Sequence, residues 1–422
     1  MLLEFRVRNF RSFRDETVFS MIASTGKEMQ ETNTAETGVK AAPRAVRSAV
    51  IYGANASGKS NLLRAMRAMS EHISNNGHLR QGDSNRNQPF RLNNVSVAAP
   101  TFFEVTFLLE NVRYRYGFET NAETILSEWL LVFKNAKPQN WIDRTYADGH
   151  SQFKSSDHLA GPKRLWEEAT RPDVLFLSNA AYLNSEQLFP LVEWLENWSF
   201  IFQDGHRFYN RLSVSSLENS RTKSFIIAML LSADAGISSV RVAIEKRLRR
   251  PSLRTDTENV DNFQRPKFDV KIPIFQHGTS DEAVEFDLAD ESEGTQKLFA
   301  LAGKICERLE NGQLLVIDEL ESSLHPLLVR KIVEIFHDPE LNKNGAQLVF
   351  TTHNTSLLDT DLFRRDQIWF AEKRADQSSE LIPLTAFSAR KGEALAKNYL
   401  AGRYGGVPVL RDKLVSAAGN GE

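Results

Sequence analysis

The segment Val50-Ile51-Tyr52-Gly53-Ala54-Asn55-Ala56-Ser57-Gly58-Lys59-Ser60-Asn61 constrains this chain most. An apolar run enters a glycine-bounded loop, and Leu62, Leu63, Met66 and Met69 then recur at helical spacing. The pattern G-x-x-x-x-G-K-[ST] is complete from Gly53 to Ser60. Gly53 and Gly58 let the backbone turn tightly enough for its N–H groups, with those of Asn55 and Ser57 between them and Asn61 beyond, to face a phosphate. The following helix points the positive end of its dipole at the same anion. Lys59 is the cation for the β- and γ-phosphates, and the Ser60 hydroxyl is a Mg²⁺ ligand. A chance glycine turn would explain neither the apolar strand before the loop nor the helix after it.

At 422 residues the chain has room for two or three domains, or for one large core with an insertion. A net charge of −2 excludes coating nucleic acid by bulk charge and leaves room only for a local basic patch. Cys306 is the one cysteine, so no internal disulfide forms, which suits a reducing cytoplasm. No apolar run approaches the length of a membrane span, and no signal-like core follows Met1.

Residues 2–8 alternate, with Leu3, Phe5 and Val7 on one side, and read as a first strand. Thr17 to Ile22 reads as a second. Residues 24–45 are polar and read as a mobile loop. Thr101–Leu109 and Val112–Glu119 form a hairpin across Glu110-Asn111, followed by a strand over Ile125–Phe133. Between 163 and 250, Trp166, Leu188, Leu191, Trp194, Leu195, Phe225, Ile226, Met229 and Leu230 recur at helical spacing as core residues. Arg241 to Arg254 holds Lys246, Arg247, Arg249 and Arg250, either a solvated helix end and loop or a contact for DNA or an acidic partner. From about 284, helices near 294–311 and 326–337 alternate with strands at 313–318, 347–352 and 367–372, which indicates a parallel sheet. The strand before the phosphate loop must join that sheet across about 200 intervening residues, so the insertion must fold by itself. The expected organisation is an α/β chain. Residues 1–135 carry the phosphate loop and an antiparallel β subdomain, 136–280 a mainly helical insertion, and 281–422 the rest of the sheet.

Leu314-Leu315-Val316-Ile317-Asp318-Glu319 is an apolar strand ending in two carboxylates. In a phosphoryl-transfer site Asp318 serves the Mg²⁺ shell and Glu319 orients and polarises water. Leu348 to Thr352 delivers His353 at a strand end, where it can reach a γ-phosphate or the attacking water. Ser292, before Gly294, is a good N-cap at a helix start, and such a start also binds anions. That site lies too far along the chain to be a local wall of the phosphate loop.

The order of these motifs resembles ABC-type ATPase heads of the recombination, structural-maintenance and overcoming-lysogenization-defect group. More narrowly, LLEFRVRNFRSFRDE, GANASGKSN, LLVIDELESSLHP, TTHN and Asn398-Tyr399-Leu400-Ala401-Gly402-Arg403-Tyr404-Gly405 resemble stand-alone prokaryotic AAA15-type ATPases. Among these are the RloA/AbiL-type ATPases encoded beside phage-resistance effectors. The resemblance spans nearly the whole chain, least clearly 135–280. It implies an ABC-type P-loop head with Walker A at 53–60, Walker B at 314–319 and an H-loop at His353, using ATP and Mg²⁺. Ser292 and Gly294 would then be the signature touching ATP on a second subunit, and Ser323-Leu324-His325 the loop between the two sites. Glu293 stands where transporters usually have glycine. Gln88, with Gln81 as rival, is the candidate Q-loop residue. About 70 residues follow His353 without a D-x-D strand end, so no nuclease domain is expected.

Three readings follow, of which the least specific is a nucleotide-sensing scaffold with little turnover. Another is an ATPase switch, a homodimer or higher oligomer sandwiching ATP and gating a separately encoded effector, without membrane contact. The third is an ATP-dependent DNA clamp of the repair type that touches the duplex through 241–254.

Overall fold

The computed structural model describes residues 1–74, 88–134, 137–154, 156–202, 213–214, 217–233, 236–248, 267–278, 283–387 and 392–407. The chain divides into two compact units. The first comprises Met1–Phe202, Leu309–Glu321 and Val329–Glu422, and the second Gln203–Arg308 and Ser322–Leu328.

In the first unit, strand β1 (Leu2–Arg8) buries Leu3, Phe5 and Val7 completely, as its alternation predicts. It pairs antiparallel with β2 (Thr17–Ser20). The connecting turn is pinned by Asn9, whose side-chain amide donates to the carbonyls of Ser96 and Ala99, both at 2.8 Å. Residues 24–45 are ordered, not a mobile loop: a short helix α1 (Gln30–Asn33) precedes the hairpin of β3 (Thr34–Val39) and β4 (Ala42–Val46). The anchors lie far away in sequence. Asn33 donates to the Leu362 carbonyl and to Gln367 Oε1, and the buried Arg364 donates to the carbonyls of Ser24, Gly26 and Glu28.

Strand β5 (Ser48–Gly53) is buried throughout and runs through the phosphate loop into α2 (Lys59–Ser74). Beyond a short helix α3 (Asn94–Ala98), strands β6 (Thr101–Leu109), β7 (Val112–Thr120) and β8 (Ile125–Phe133) form a meander. Glu110 and Asn111 both adopt left-handed φ at the first hairpin, as a two-residue turn requires. The sheet continues through β9 (Gln139–Ala147) and β10 (His150–Phe153) into a seven-stranded antiparallel layer, β10-β9-β8-β7-β6-β1-β2. Helices α4 (Lys163–Ala169), α5 (Phe176–Tyr182) and α6 (Phe189–Glu196) follow, then a short strand β11 (Ser199–Ile201). Trp166, Leu188, Leu191, Trp194 and Leu195 are core residues, as their spacing predicts; Trp194 stacks on Phe107 at 4.3 Å.

In the second unit, α7 (Ser220–Ser232) precedes β12 (Ile237–Leu248), β13 (Lys267–His277) and β14 (Val284–Asp287), an antiparallel three-stranded sheet, then α8 (Glu293–Asn311). Two expectations are corrected. The 136–280 stretch is mixed rather than mainly helical, because β9 and β10 extend one sheet and β12 and β13 build another. Arg241 to Leu248 is strand rather than helix end, since Val240, Val242 and Ile244 alternate and the strand pairs along its whole length with β13.

Strands β15 (Leu314–Ile317), β16 (Gln347–Thr351), β17 (Ile368–Lys373) and β18 (Ser379–Pro383), with α9 (Pro326–His337) between the first two, complete the first unit. A short helix α10 (Leu395–Leu400) comes last. The six-stranded order is β11-β15-β16-β5-β17-β18, and all pairs but the last are parallel. The strand carrying the phosphate loop thus lies between β16 and β17, and the α/β sheet with an antiparallel companion matches the expected fold class.

Candidate active site

Three parallel strands of the first unit end at one place. From β5 comes the phosphate loop, from β15 Asp318 and Glu319, and from β16 the Thr351–Asn354 segment. Ligand sites of open α/β sheets lie at such carboxyl ends.

The loop's glycines are required by contact. A Cβ on Gly58 would stand 2.3 Å from Ser379 Oγ, and one on Gly53 2.4 Å from the Ala371 carbonyl. Ser379 fastens the loop from β18: its hydroxyl donates to the Ser57 carbonyl at 2.6 Å and its N–H to the Ser12 carbonyl at 2.7 Å. Ser12 also accepts from the Asn61 side chain at 2.9 Å. Asn55 lies exposed at the loop tip, beside Ala56 in a left-handed conformation. Ser57 Oγ is buried and makes no hydrogen bond among the described residues.

Lys59 is buried, and its Nζ donates to the carbonyls of Gly53 at 2.7 Å and Ala54 at 3.0 Å. Burial pulls its pKa below the ordinary lysine value, while Glu319, Asp318 and Glu321 pull it back up. All three carboxylates therefore act on this one ammonium. Ser60 Oγ donates to Asp318 Oδ1 at 2.9 Å, so the two expected Mg²⁺ ligands converge. Thr351 Oγ1 donates to the same oxygen at 2.7 Å and accepts from the Glu319 N–H at 2.8 Å. One hydroxyl thus fixes both acids. Glu319 sits at φ 50°, a left-handed conformation unusual for a glutamate and a form of strain that clusters at functional sites.

His353 lies exposed at the end of β16, and its N–H donates to Glu321 Oε1 at 2.5 Å. Partial desolvation and then Lys59 lower its pKa, against the opposing pull of Glu321, Glu319 and Asp318. Glu321 is a third acid that motif reading passed over, as were Thr351, Ser12 and Ser379. The Glu-x-Glu spacing after β15 was the one available signal for Glu321.

A cavity of about 490 Å³ opens beside Asn61 and Ser12, lined also by Arg11, Gln88, Arg91 and Lys373. Desolvation and then the like charges of Arg64 and Arg91 lower the Arg11 pKa. Of the two glutamine candidates, Gln88 thus borders the loop region, and its carbonyl accepts from the Arg11 N–H at 2.6 Å; Gln81 lies outside the described residues.

In the second unit Ser292 caps α8, its exposed Oγ accepting from the Thr295 N–H at 3.1 Å. A Cβ on Gly294 would stand 2.8 Å from the Ser323 carbonyl, and Ser323 Oγ donates to Glu293 at 3.4 Å. The Ser-x-Gly start and the Ser323-Leu324-His325 loop are therefore neighbours. Of the basic stretch, Arg241 is paired with both oxygens of Glu285, at 2.9 and 2.6 Å, while Arg249, Arg250 and Arg254 lie outside the described residues.

Residues 48–359 match the family described as "AAA domain, putative AbiEii toxin, Type IV TA system". No curated protein matches the sequence. Among solved structures, the chain is similar to the SMC head domain from Thermotoga maritima, with 13% identity and a TM-score of 0.43 over 90% of this chain and 98% of that one. It is similar to an SmcHead bound to the C-winged helix domain of ScpA, with 14% identity and a TM-score of 0.46 over 92% and 99%. It is also similar to the recombination mediator RecF–ATP of the RecFOR pathway, with 16% identity and a TM-score of 0.37 over 90% and 97%.

Proposed function

The chain belongs to this AAA-domain family, and on that premise we propose that it binds and hydrolyses ATP with Mg²⁺ and uses the cycle to switch a separately encoded effector. The observation that carries the reading is the convergence of Lys59, Ser60, Asp318, Glu319 and His353 around one phosphate loop. A hydroxyl and a carboxylate oxygen 2.9 Å apart are the donor set that Mg²⁺ takes beside a triphosphate, so Ser60 and Asp318 fit the ion. When bound, it neutralises charge on the phosphates. Lys59 turns from the loop carbonyls to the β- and γ-phosphates. Glu319 orients and polarises the attacking water, and His353 hydrogen-bonds that water or the γ-phosphate. The cavity beside Asn61 takes the nucleoside end. Ser292 and Gly294 serve the nucleotide of a second copy, so that the working form is a dimer through its ATP sites.

A partner effector accords with a family description that names a toxin and a toxin–antitoxin system. A role in anti-phage defence is the specific form of that reading. Arg241 spends its charge on Glu285 and Lys271 pairs with Glu218, which favours the switch over the DNA clamp. The test compares ATP turnover of wild type and Lys59→Ala, with and without duplex DNA at two salt concentrations. Wild type should turn over ATP regardless of DNA, and Lys59→Ala should lose at least about 100-fold, because the cation facing the transferred phosphate is gone. Undiminished turnover in Lys59→Ala sinks the assignment; a steep salt-dependent DNA affinity favours the clamp.

A further inference from the structure

The Asn398–Gly405 motif forms a clasp on the phosphate loop. Tyr399, on α10, donates through its hydroxyl to the Gly406 carbonyl at 3.1 Å. Its ring stacks on Phe370 at 5.4 Å, and Tyr404, fully buried, stacks on Phe370 at the same distance. Asn398 ties the segment together by donating to Glu393 at 2.8 Å and to the Tyr404 hydroxyl at 3.4 Å. At Gly406 the chain runs so near the loop that a Cβ there would stand 3.4 Å from Gly53 Cα. Tyr399 also lies 5.7 Å from the Tyr52 ring, and the Tyr52 hydroxyl donates to the Asn354 carbonyl at 3.1 Å, one residue beyond His353. One aromatic cluster therefore touches both the entrance of the phosphate loop and the histidine segment.

Gly53 is approached from two directions: its carbonyl accepts from Lys59 Nζ at 2.7 Å, and Gly406, whose carbonyl Tyr399 holds, lies against its Cα. A lysine that turns to a phosphate gives up that carbonyl, and the Gly406 stretch that Tyr399 anchors then still lies against Gly53. We propose that Tyr399 is a positioning residue for the phosphate loop, and that the 395–407 segment carrying it tightens when nucleotide occupies the loop. The proposal rests on the nucleotide-binding reading. By linkage, a clasp that favours nucleotide is itself favoured by nucleotide to the same degree.

The test uses the full chain and Tyr399→Phe, which keeps the ring and deletes only the hydroxyl. Titration with a fluorescent ATP analogue should give a Kd raised about tenfold, the effect of leaving the buried Gly406 carbonyl unpaired beside the loop. The melting temperature without nucleotide should stay close to wild type. In wild type the analogue should slow amide exchange across 395–407, and in Lys59→Ala it should not. An unchanged Kd in Tyr399→Phe, alone or with a lowered melting temperature, shows a purely structural tyrosine and overturns the clasp. If Lys59→Ala abolishes binding in that same experiment, the nucleotide reading stands without the clasp. Undiminished binding in Lys59→Ala removes the phosphate-loop reading and the clasp with it.

Discussion

Glu319 and Asp318 are adjacent carboxylates with different surroundings. Asp318 Oδ1 accepts from Ser60 and Thr351, and its backbone N–H is fixed to the Ile201 carbonyl at 2.9 Å. Glu319 has its backbone N–H fixed by Thr351, at a strained φ of 50°, and it acts electrostatically on Lys59. On the proposed function the Ser60 contact gives Asp318 the metal role and leaves the water role to Glu319. Glu319→Gln should therefore keep ATP affinity within a few-fold while turnover falls about 10² to 10³-fold, the usual worth of a positioned base. Equilibrium binding and steady-state hydrolysis on one preparation check it; lost binding would mean the two acids exchange roles. The phosphate loop, the acid pair and His353 were legible because each is a run of neighbours along the chain. Thr351, Ser379, Ser12 and Tyr399 were not, because their partners lie tens to hundreds of residues away and only the sheet brings them together.

At the scale of elements, β5 is held in place by a buried polar network as well as by its ladder. His337, at the end of α9, takes a hydrogen bond on Nε2 from Gln367 at 3.1 Å and lies 2.7 Å from Ser48 Oγ. Gln367 Nε2 can only donate, so His337 Nε2 accepts and the ring is neutral with its proton on Nδ1. Burial, and then Arg47, lower the His337 pKa from 6.5 to about 3. The unfolded chain takes up a proton below about 6.5 and the folded chain does not, so this group's contribution is complete above 6.5 and is lost as pH falls toward 3. Moving from pH 7.5 to 5.5 should remove roughly 1 kcal/mol through His337. His337→Gln cannot titrate, so its stability should change less over that interval by the same amount, as urea unfolding at the two pH values would show. Equal pH dependence in both proteins would rule out the buried neutral ring. Elements with strong alternation or helical spacing, such as β1, β6 and α9, could be read directly. The 24–45 hairpin could not, because Arg364 and Asn33 hold polar residues that carry no periodic signal. Strand β12 was hidden because its charges outweighed the alternation of Val240, Val242 and Ile244.

At the scale of the whole molecule the sequence showed that β5 must join the C-terminal sheet, but it did not show how much β structure the intervening residues hold. The open question at this scale is whether Ser292 serves its own chain or another. Gly294 is a poor probe, since any side chain there meets the Ser323 carbonyl at 2.8 Å and disturbs the fold. Ser292 is exposed and its hydroxyl caps α8, a task aspartate performs equally well. Ser292→Asp should thus fold with stability within about 0.5 kcal/mol of wild type. It places a negative charge where a partner's triphosphate would lie, and turnover should fall steeply. The informative experiment mixes Ser292→Asp chains with Lys59→Ala chains, each inactive alone. Random pairing makes half of the dimers mixed, and each mixed dimer keeps one of two composite sites, so about a quarter of wild-type turnover should return if a single site can fire. Each chain working by itself would give no recovery at any ratio. Wild-type turnover per chain should also fall on dilution as dimers separate. A rate per chain that stays constant on dilution, together with unimpaired Ser292→Asp, would leave Ser292 as a helix cap and nothing more.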